Sequence, residues 1–244
     1  MPSFIRLLQF SPKDRPKLYE QYLELKYVVF VAEQGWTTLA DPSPSNRRRV
    51  QEESFDENGQ LFLASTEAGE PIGVLRSIAL TAGFPHRELL EHHLERPETR
   101  AMWARLGTMN ALAVLAPYRR REFQAVDLGW TGSVARLLML YAMRDMQRRG
   151  LGAALATTGG LASTRLCRSL GFQIINAASP VPHLHPGIEA TNVGVVFGSP
   201  GHLRAQQACG AAAEPAPGPD VPALALLKYF EECEKAVLAQ ERSL

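Results

Sequence analysis

The sequence predicts an α/β fold, a central mixed and twisted sheet flanked by helices. Three observations carry this. Apolar and amphipathic runs alternate over residues 1–200 in the order β-α-β-β-(α)-β-α-β-α-β-β. The strand runs are nearly continuous apolar stretches, as buried strands require, and the helical runs place apolar residues at helical spacing. Past residue 200 the composition shifts to Ala, Pro and Gly. One domain over 1–200 is therefore expected, then a linker over 201–221 and an amphipathic helix over 222–244.

Phe4–Phe10 reads as the first strand. In Ser11-Pro12-Lys13-Asp14, Ser11 suits a helix cap, Pro12 the first helical position and Asp14 the first turn. Leu18, Tyr22, Leu25 and Val29 then recur at helical spacing, and Gly35 ends the element. Residues 37–50 hold Pro, Ser, Asn and an Arg triplet, a polar loop. Gln60–Thr66 and Pro71–Leu80 flank a Glu-Ala-Gly-Glu turn, a hairpin covered on both faces. Residues 84–95 suit a short polar helix, and "MNALAVLAP" a buried strand closed by Pro117. "RRREFQAVDLGWTG" follows as a connection. Ser133 can cap a helix through Arg149, with Leu137, Leu138, Tyr141 and Met146 on its apolar side and Gly150 as its stop. "LGAALATT" is a strand, "LASTRLCRSL" a helix ended by Gly171, and "FQIINA" and "TNVGVVFG" the last strands. "ALALLKYFEECEKAVLAQ" forms the last helix, which either docks on the body or binds a partner.

The 244 residues carry a formal net charge of +1, so nothing draws the whole chain to nucleic acid or a membrane surface. Cys167, Cys209 and Cys233 fit no metal spacing and cannot all pair, which points to a reducing cytoplasm. "MPSFIRLLQF" reads as a strand and not a signal, and no apolar run reaches the ~18 residues of a membrane helix.

Local chemistry concentrates in "KYVVFVAEQGW", Lys26 to Trp36, where a helix end carries a cation, aromatics and a carboxylate. Arg76 sits on an otherwise apolar strand, and a buried charge needs a partner: a ligand, or an ion pair with Asp56 or Glu53. Glu33 is either a general base or a helix-end carboxylate. His183 and His185 form a His-x-His with no third metal ligand, and either can line a pocket mouth. Cys167 reads as packing.

The element order, "LAVLAPYRRR" and "LCRSLGF" together resemble the GNAT superfamily of acyltransferases. The matching residues are Ala113-Val114, Pro117-Tyr118-Arg119 and Leu170-Gly171-Phe172, and the resemblance spans residues 4–198. Within it, Lys26, Phe30, Gly35-Trp36, Glu53, Phe55-Asp56 and Gly73-Val74-Leu75-Arg76 resemble the N-terminal signature of acyl-homoserine-lactone synthases and long-chain N-acyl amino acid synthases. The resemblance implies a GNAT-like domain with an acceptor pocket. Phe30 and Trp36 would be its apolar walls, and Lys26, Glu53, Asp56 and Arg76 would read a small amine. It also implies that Leu112, Ala113 and Val114 hold a pantetheine arm and supply an oxyanion N–H. Thr108 and Asn110 would position a water, and Tyr141 would protonate the leaving thiolate, unless it is aromatic core.

The chain departs from that pattern. Where the lactone synthases have Glu-x-x-Arg, it has Thr108 and Ala111, which weighs against S-adenosylmethionine and lactone formation. A different amine acceptor, or a divergent relative in a biosynthetic pathway, is expected. After Tyr118 no compact Gly-x-Gly loop for pyrophosphate appears, only Gly129 and Gly132. Acyl carrier protein needs no such loop. Arg119, Arg120, Arg121, Arg144, Arg148 and Arg149 then either dock that acidic partner or are a solvated surface.

The expected function is transfer of an acyl group from an acyl-carrier-protein or acyl-CoA co-substrate to a small amine, in a ternary complex, without a tightly bound cofactor or metal. A GNAT-like ligand-binding or regulatory protein and an ordinary acetyl-CoA-dependent acetyltransferase stay open. Acyl length, acceptor and oligomeric state are not legible.

Overall fold

The computed structural model describes residues 3–41, 49–50, 53–83, 87, 90–176, 179–180, 189–210 and 219–242. In chain order its elements are β1 (Ser3–Phe10), α1 (Pro16–Lys26), a π-helix (Tyr27–Glu33), α2 (Ser54–Asn58), β2 (Gln60–Thr66), β3 (Pro71–Ala79), α3 (Glu91–Leu94), α4 (Pro97–Ala101) and β4 (Leu106–Val114). Then follow β5 (Glu122–Ala125), β6 (Trp130–Ser133), α5 (Val134–Arg148), β7 (Ala153–Gly159), α6 (Leu161–Ser169), β8 (Gln173–Ile174), β9 (Ser179–Pro180), β10 (Glu189–Val196), α7 (Pro200–Gln207) and α8 (Val221–Glu241). This is an α/β architecture with a mixed sheet and flanking helices. Contacts gather into two compact units interleaved along the sequence. The first takes Met1–Ile78, Met109–Ala142 and Cys209–Ala211; the second takes Ala79–Thr108, Met143–Ala208 and Ala212–Leu244.

The first unit holds strands in the order β6-β5-β1-β2-β3, with β4 beside β3. β1 pairs antiparallel with β2, from Ile5↔Thr66 to Phe10↔Leu61, and parallel with β5 through Ser3↔Phe123. The β2–β3 hairpin shows the expected burial on both faces, with Phe62, Leu63, Val74 and Leu75 all inside. Gly73 explains the close approach of α5. A Cβ there would lie 2.7 Å from Val134 Cγ1. On the α1 side, Tyr22, Leu23, Val29, Leu61, Leu63 and Val74 form a core cluster.

The second unit is built on β7 and β10, antiparallel from Ala190↔Gly159 to Val196↔Ala153, with β8 and β9 pairing β10. α8 docks against β8 and β10, with Leu226 and Phe230 fully buried. Phe230 lies on Gly194, where a Cβ would sit 2.5 Å from the ring. Of the two readings of this helix, docking on the body is the one observed.

Four details differ from the sequence reading. Helix α1 begins at Pro16, not Pro12. Arg15, ahead of that proline, is pushed out of the helical region to φ −139°. Ser11 and Asp14 instead close a turn, the Ser11 hydroxyl donating to the Asp14 carboxylate at 2.6 Å. The connection after Tyr118 contains the β5–β6 hairpin, with Phe123, Ala125 and Trp130 buried. The expected linker starts later, because Ser199 caps α7 by accepting from the His202 N–H. Of the expected polar helix over 84–95, α3 is the described helical part; 84–86 and 88–89 lie outside the described residues, as do 211–218 of the linker.

Candidate functional site

Lys26 and Arg76 meet Glu53 and Asp56 in one network in the first unit. α1 supplies Tyr19, Tyr22 and Lys26, which share a helix face at i, i+3 and i+7. β3 supplies Arg76 opposite Leu61 of β2. Glu53 precedes α2 and Asp56 lies inside it. Gly59 lets the Arg76 side chain pass, since a Cβ there would be 3.1 Å from Arg76 Cγ.

Arg76 Nη1 donates to Asp56 Oδ1 at 2.6 Å and to Glu53 Oε2 at 2.9 Å, and Lys26 Nζ donates to the same Glu53 oxygen at 2.6 Å. The Tyr19 hydroxyl donates to Asp56 Oδ2 at 2.9 Å, and Arg76 Nε donates to Asn110 Oδ1 at 2.6 Å. Lys26 Nζ also lies 5.0 Å from the Tyr22 ring centroid. Two cations and two carboxylates cancel, which is how the interior tolerates them. Side-chain exposure is 4% for Lys26, 2% for Arg76 and 0% for Asp56, but 33% for Glu53. Glu53 is thus the open end of the network, and its Oε1 carries neither cation. Burial alone would raise the Glu53 carboxyl; Lys26 and Arg76 oppose this and hold it below the usual carboxylate range.

These positions show which expected readers meet and which do not face outward. Arg76 has both of the partners foreseen for it. Lys26, Asp56 and Arg76 spend their bonds inside the network, so Glu53 alone of the four presents a carboxylate to solvent. Asn110, expected to position a water, accepts from Arg76 through its Oδ1. Glu33, either a general base or a helix-end carboxylate by sequence, is paired with Arg119. Phe30 and Trp36 stack on each other, centroids 5.1 Å apart and planes at 4°, with Phe30 buried and Trp36 half-buried. Tyr141 packs edge-on against Phe62 at 5.7 Å, the aromatic-core alternative.

Strand β4 has a local irregularity. Ala111 takes φ +56°, a left-handed conformation that costs a non-glycine residue about 1–2 kcal/mol. It lies directly before Leu112, Ala113 and Val114, of which Ala113 and Val114 are buried and Leu112 half-buried. Thr108 is buried near the start of the same strand.

The arginines expected as a basic face divide. Arg119 pairs with Glu33, and Arg149 with Asp145 at 2.7 Å. Arg120, Arg121 and Arg148 are exposed, and Arg144 is half-buried. Cys167 is buried, and burial pushes its thiol up to about 12, which fits packing. His183 and His185 lie outside the described residues. A cavity of about 650 Å³ lies in the second unit between α6, α7 and α8. Its mixed-charge rim includes Arg168, paired with Glu234 at 3.3 Å, and it holds none of the predicted site residues. The sequence reading missed Tyr19 and Tyr22 as network members, although their spacing with Lys26 was visible. It had no signal for the Glu33–Arg119 pair.

No protein-family model matches the sequence, and no curated protein does. Among solved structures the chain is similar to TofI in a ternary complex with an inhibitor and MTA. The TM-score is 0.58 at 17% identity, covering 85% of this chain and 97% of that one. It is also similar to BjaI, a CoA-dependent acyl-homoserine lactone synthase, solved with SAM and isopentyl-CoA. There the TM-score is 0.57 at 18% identity, over 93% and 99% of the two chains. MesI, a CoA-dependent acyl-homoserine lactone synthase, gives 0.55 at 16% identity over 85% and 97%. The chain has the fold of acyl-homoserine lactone synthases. Among the described residues no helix is long and apolar enough to cross a membrane.

Proposed function

We propose that this chain is an N-acyltransferase that moves an acyl group from a carrier-protein or CoA thioester to a small amine. The observation that carries the reading is the Glu53 carboxylate. A charge-balanced network fixes it, Lys26 and Arg76 both bond its Oε2, and its side chain keeps 33% exposure where Asp56 has none. An ordered, ionised carboxylate is what recognition of an ammonium group requires. The fold supports the reading, because it is shared with BjaI and MesI, CoA-dependent acyl-homoserine lactone synthases. Lys26, Arg76 and Asp56 orient Glu53 and do not themselves meet the acceptor.

In this mechanism the acceptor docks as an ammonium against Glu53 and loses a proton to water. The neutral amine then attacks the thioester carbonyl directly. The C–N bond forms, the C–S bond breaks, and the leaving thiolate takes up the proton that the acylated nitrogen sheds. The segment Leu112–Val114 holds the pantetheine arm and offers the oxyanion N–H, and the left-handed Ala111 lies directly before it. Glu33 is engaged by Arg119, so it does not serve as base. Ala111 stands where the lactone synthases carry an arginine, and an alanine offers an acceptor no charge. This favours an amine other than SAM. After β4 the chain enters the β5–β6 hairpin instead of a glycine-rich loop, which favours a donor held by its pantetheine arm, with acyl carrier protein as the fitting partner.

The test incubates the purified protein with acyl-carrier-protein and acyl-CoA panels and pools of amines, and reads free thiol and product mass. Amine-dependent thiol release, lost in Glu53→Gln, is expected. Release that Glu53→Gln leaves intact removes Glu53 from acceptor binding. No release from any donor sinks the enzyme reading.

A further inference from the structure

Arg119 joins two segments on which acyl transfer would depend. Its Nε donates to the Val114 carbonyl at 2.7 Å, and its Nη2 pairs with the Glu33 carboxylate. Val114 ends β4, and Glu33 ends the π-helix beside the stacked Phe30 and Trp36. Both sides are shaped for this meeting. The π-helix spans seven residues, and its wider i→i+5 turns set Glu33 on a different face from an α-helical continuation. Trp36 N–H then returns to Phe30 C=O at 2.9 Å, and Gly35 closes the corner at φ +76°. On the other side, a 3₁₀ turn over Ala116–Tyr118 reverses the chain after β4 and folds Arg119 back on Val114. The Tyr118 hydroxyl pins the same turn to Glu70 at 3.1 Å.

We propose that Glu33 and Arg119 are a positioning clasp for the transfer. They hold the end of the acceptor corner against the end of the donor strand, and neither touches the reacting atoms. The proposal rests on the acyltransferase reading above. It replaces two simpler roles. A general base needs its carboxylate facing an amine, and that of Glu33 faces a guanidinium. A carrier-protein anchor needs its guanidinium free, and Arg119 uses two of its nitrogens inside the chain. The pair is half-exposed, 41% for Arg119 and 27% for Glu33, so it adds little to global stability. What it fixes is the relative placement of two short segments.

Lysine discriminates between the roles, because it keeps the charge but lacks the planar fork that reaches two acceptors at once. The experiment compares wild type, Arg119→Lys, Arg119→Gln and Glu33→Gln with the donor and amine that give turnover. All three variants are expected to lose about 10–100-fold in kcat, with donor KM little changed and melting temperature within about 2 °C of wild type. Hydrogen exchange should speed up together over residues 31–35 and 115–119 in each variant. An active Arg119→Lys beside an Arg119→Gln with raised donor KM would make Arg119 a charge anchor and overturn the clasp. A fully active Glu33→Gln would overturn it too. Where wild type turns over no thioester, the acyltransferase reading has failed by itself. The exchange measurement then decides the clasp alone, and unlinked protection of the two segments rejects it.

Discussion

Replacing Asp56 with alanine tests whether the ion network is as buried as described. Asp56 has 0% exposure and receives bonds from Arg76 at 2.6 Å and Tyr19 at 2.9 Å. Without it, two interior cations share the single carboxylate of Glu53, and the network carries net positive charge. Breaking a buried pair from one side costs about 3–5 kcal/mol, because the remaining charge stays desolvated. In a chain of 244 residues each kcal/mol moves the melting temperature by ~2–4 °C, so a fall of roughly 6–20 °C is expected. Asp56→Leu/Arg76→Met removes both charges and leaves Lys26 with Glu53 as a neutral pair. That double variant should recover most of the loss, since apolar replacement of a whole buried pair is often neutral. Thermal unfolding followed by circular dichroism, with urea titration as a check, reads all three proteins. A single variant within about 3 °C of wild type, or a double variant no better than the single, would refute the reasoning.

Further outcomes follow from the same geometry. Glu53 has its carboxyl held below its ordinary value of 4.5, burial raising it and Lys26 and Arg76 lowering it by more. A depressed folded pKa contributes stability above the ordinary value and loses it as pH falls through the folded one. The stability gap between wild type and Glu53→Gln should therefore be full near neutrality and close in acid, which urea titrations across pH will show. Gly194→Ala drives a methyl into the Phe230 ring at 2.5 Å, an overpacking worth about 1–3 kcal/mol. Limited proteolysis should then cut α8 early, and Phe230→Leu added to it should restore protection. Cys233 is half-buried whereas Cys167 is buried with its thiol pushed up to about 12. A thiol reagent should label Cys233 first and Cys167 only on unfolding; early labelling of Cys167 in the native protein would contradict its burial.

Much of the architecture could be read from the chain because it is local. Apolar runs marked β2, β3, β4, β7 and β10, and helical spacing marked α1, α5, α6 and α8. The β5–β6 hairpin leaves a fainter trace, in the alternation of Phe123 and Ala125 with polar neighbours and in Gly129 between the two strands. Four-residue strands give only a weak period beside an arginine run. The start of α1 is ambiguous in the sequence for a comparable reason: Pro12 and Pro16 both suit a first helical position, and only the backbone of Arg15 decides between them.

The same division holds at the candidate site. The sequence by itself determined that Arg76, alone on an apolar strand, needed buried counter-charge, and that Glu53 and Asp56 were within reach of the role. That follows from the cost of an unpaired charge in a core, which no fold escapes. Only the tertiary structure decided how the charges share their bonds, leaving Glu53 as the exposed carboxylate and setting Asn110 against Arg76. It alone set Glu33 against Arg119, 86 positions away. Periodicity and composition carry information over a few residues, whereas these pairings arise where β3, α1, α2 and the end of β4 approach. Their geometry exists only once the core between them has packed.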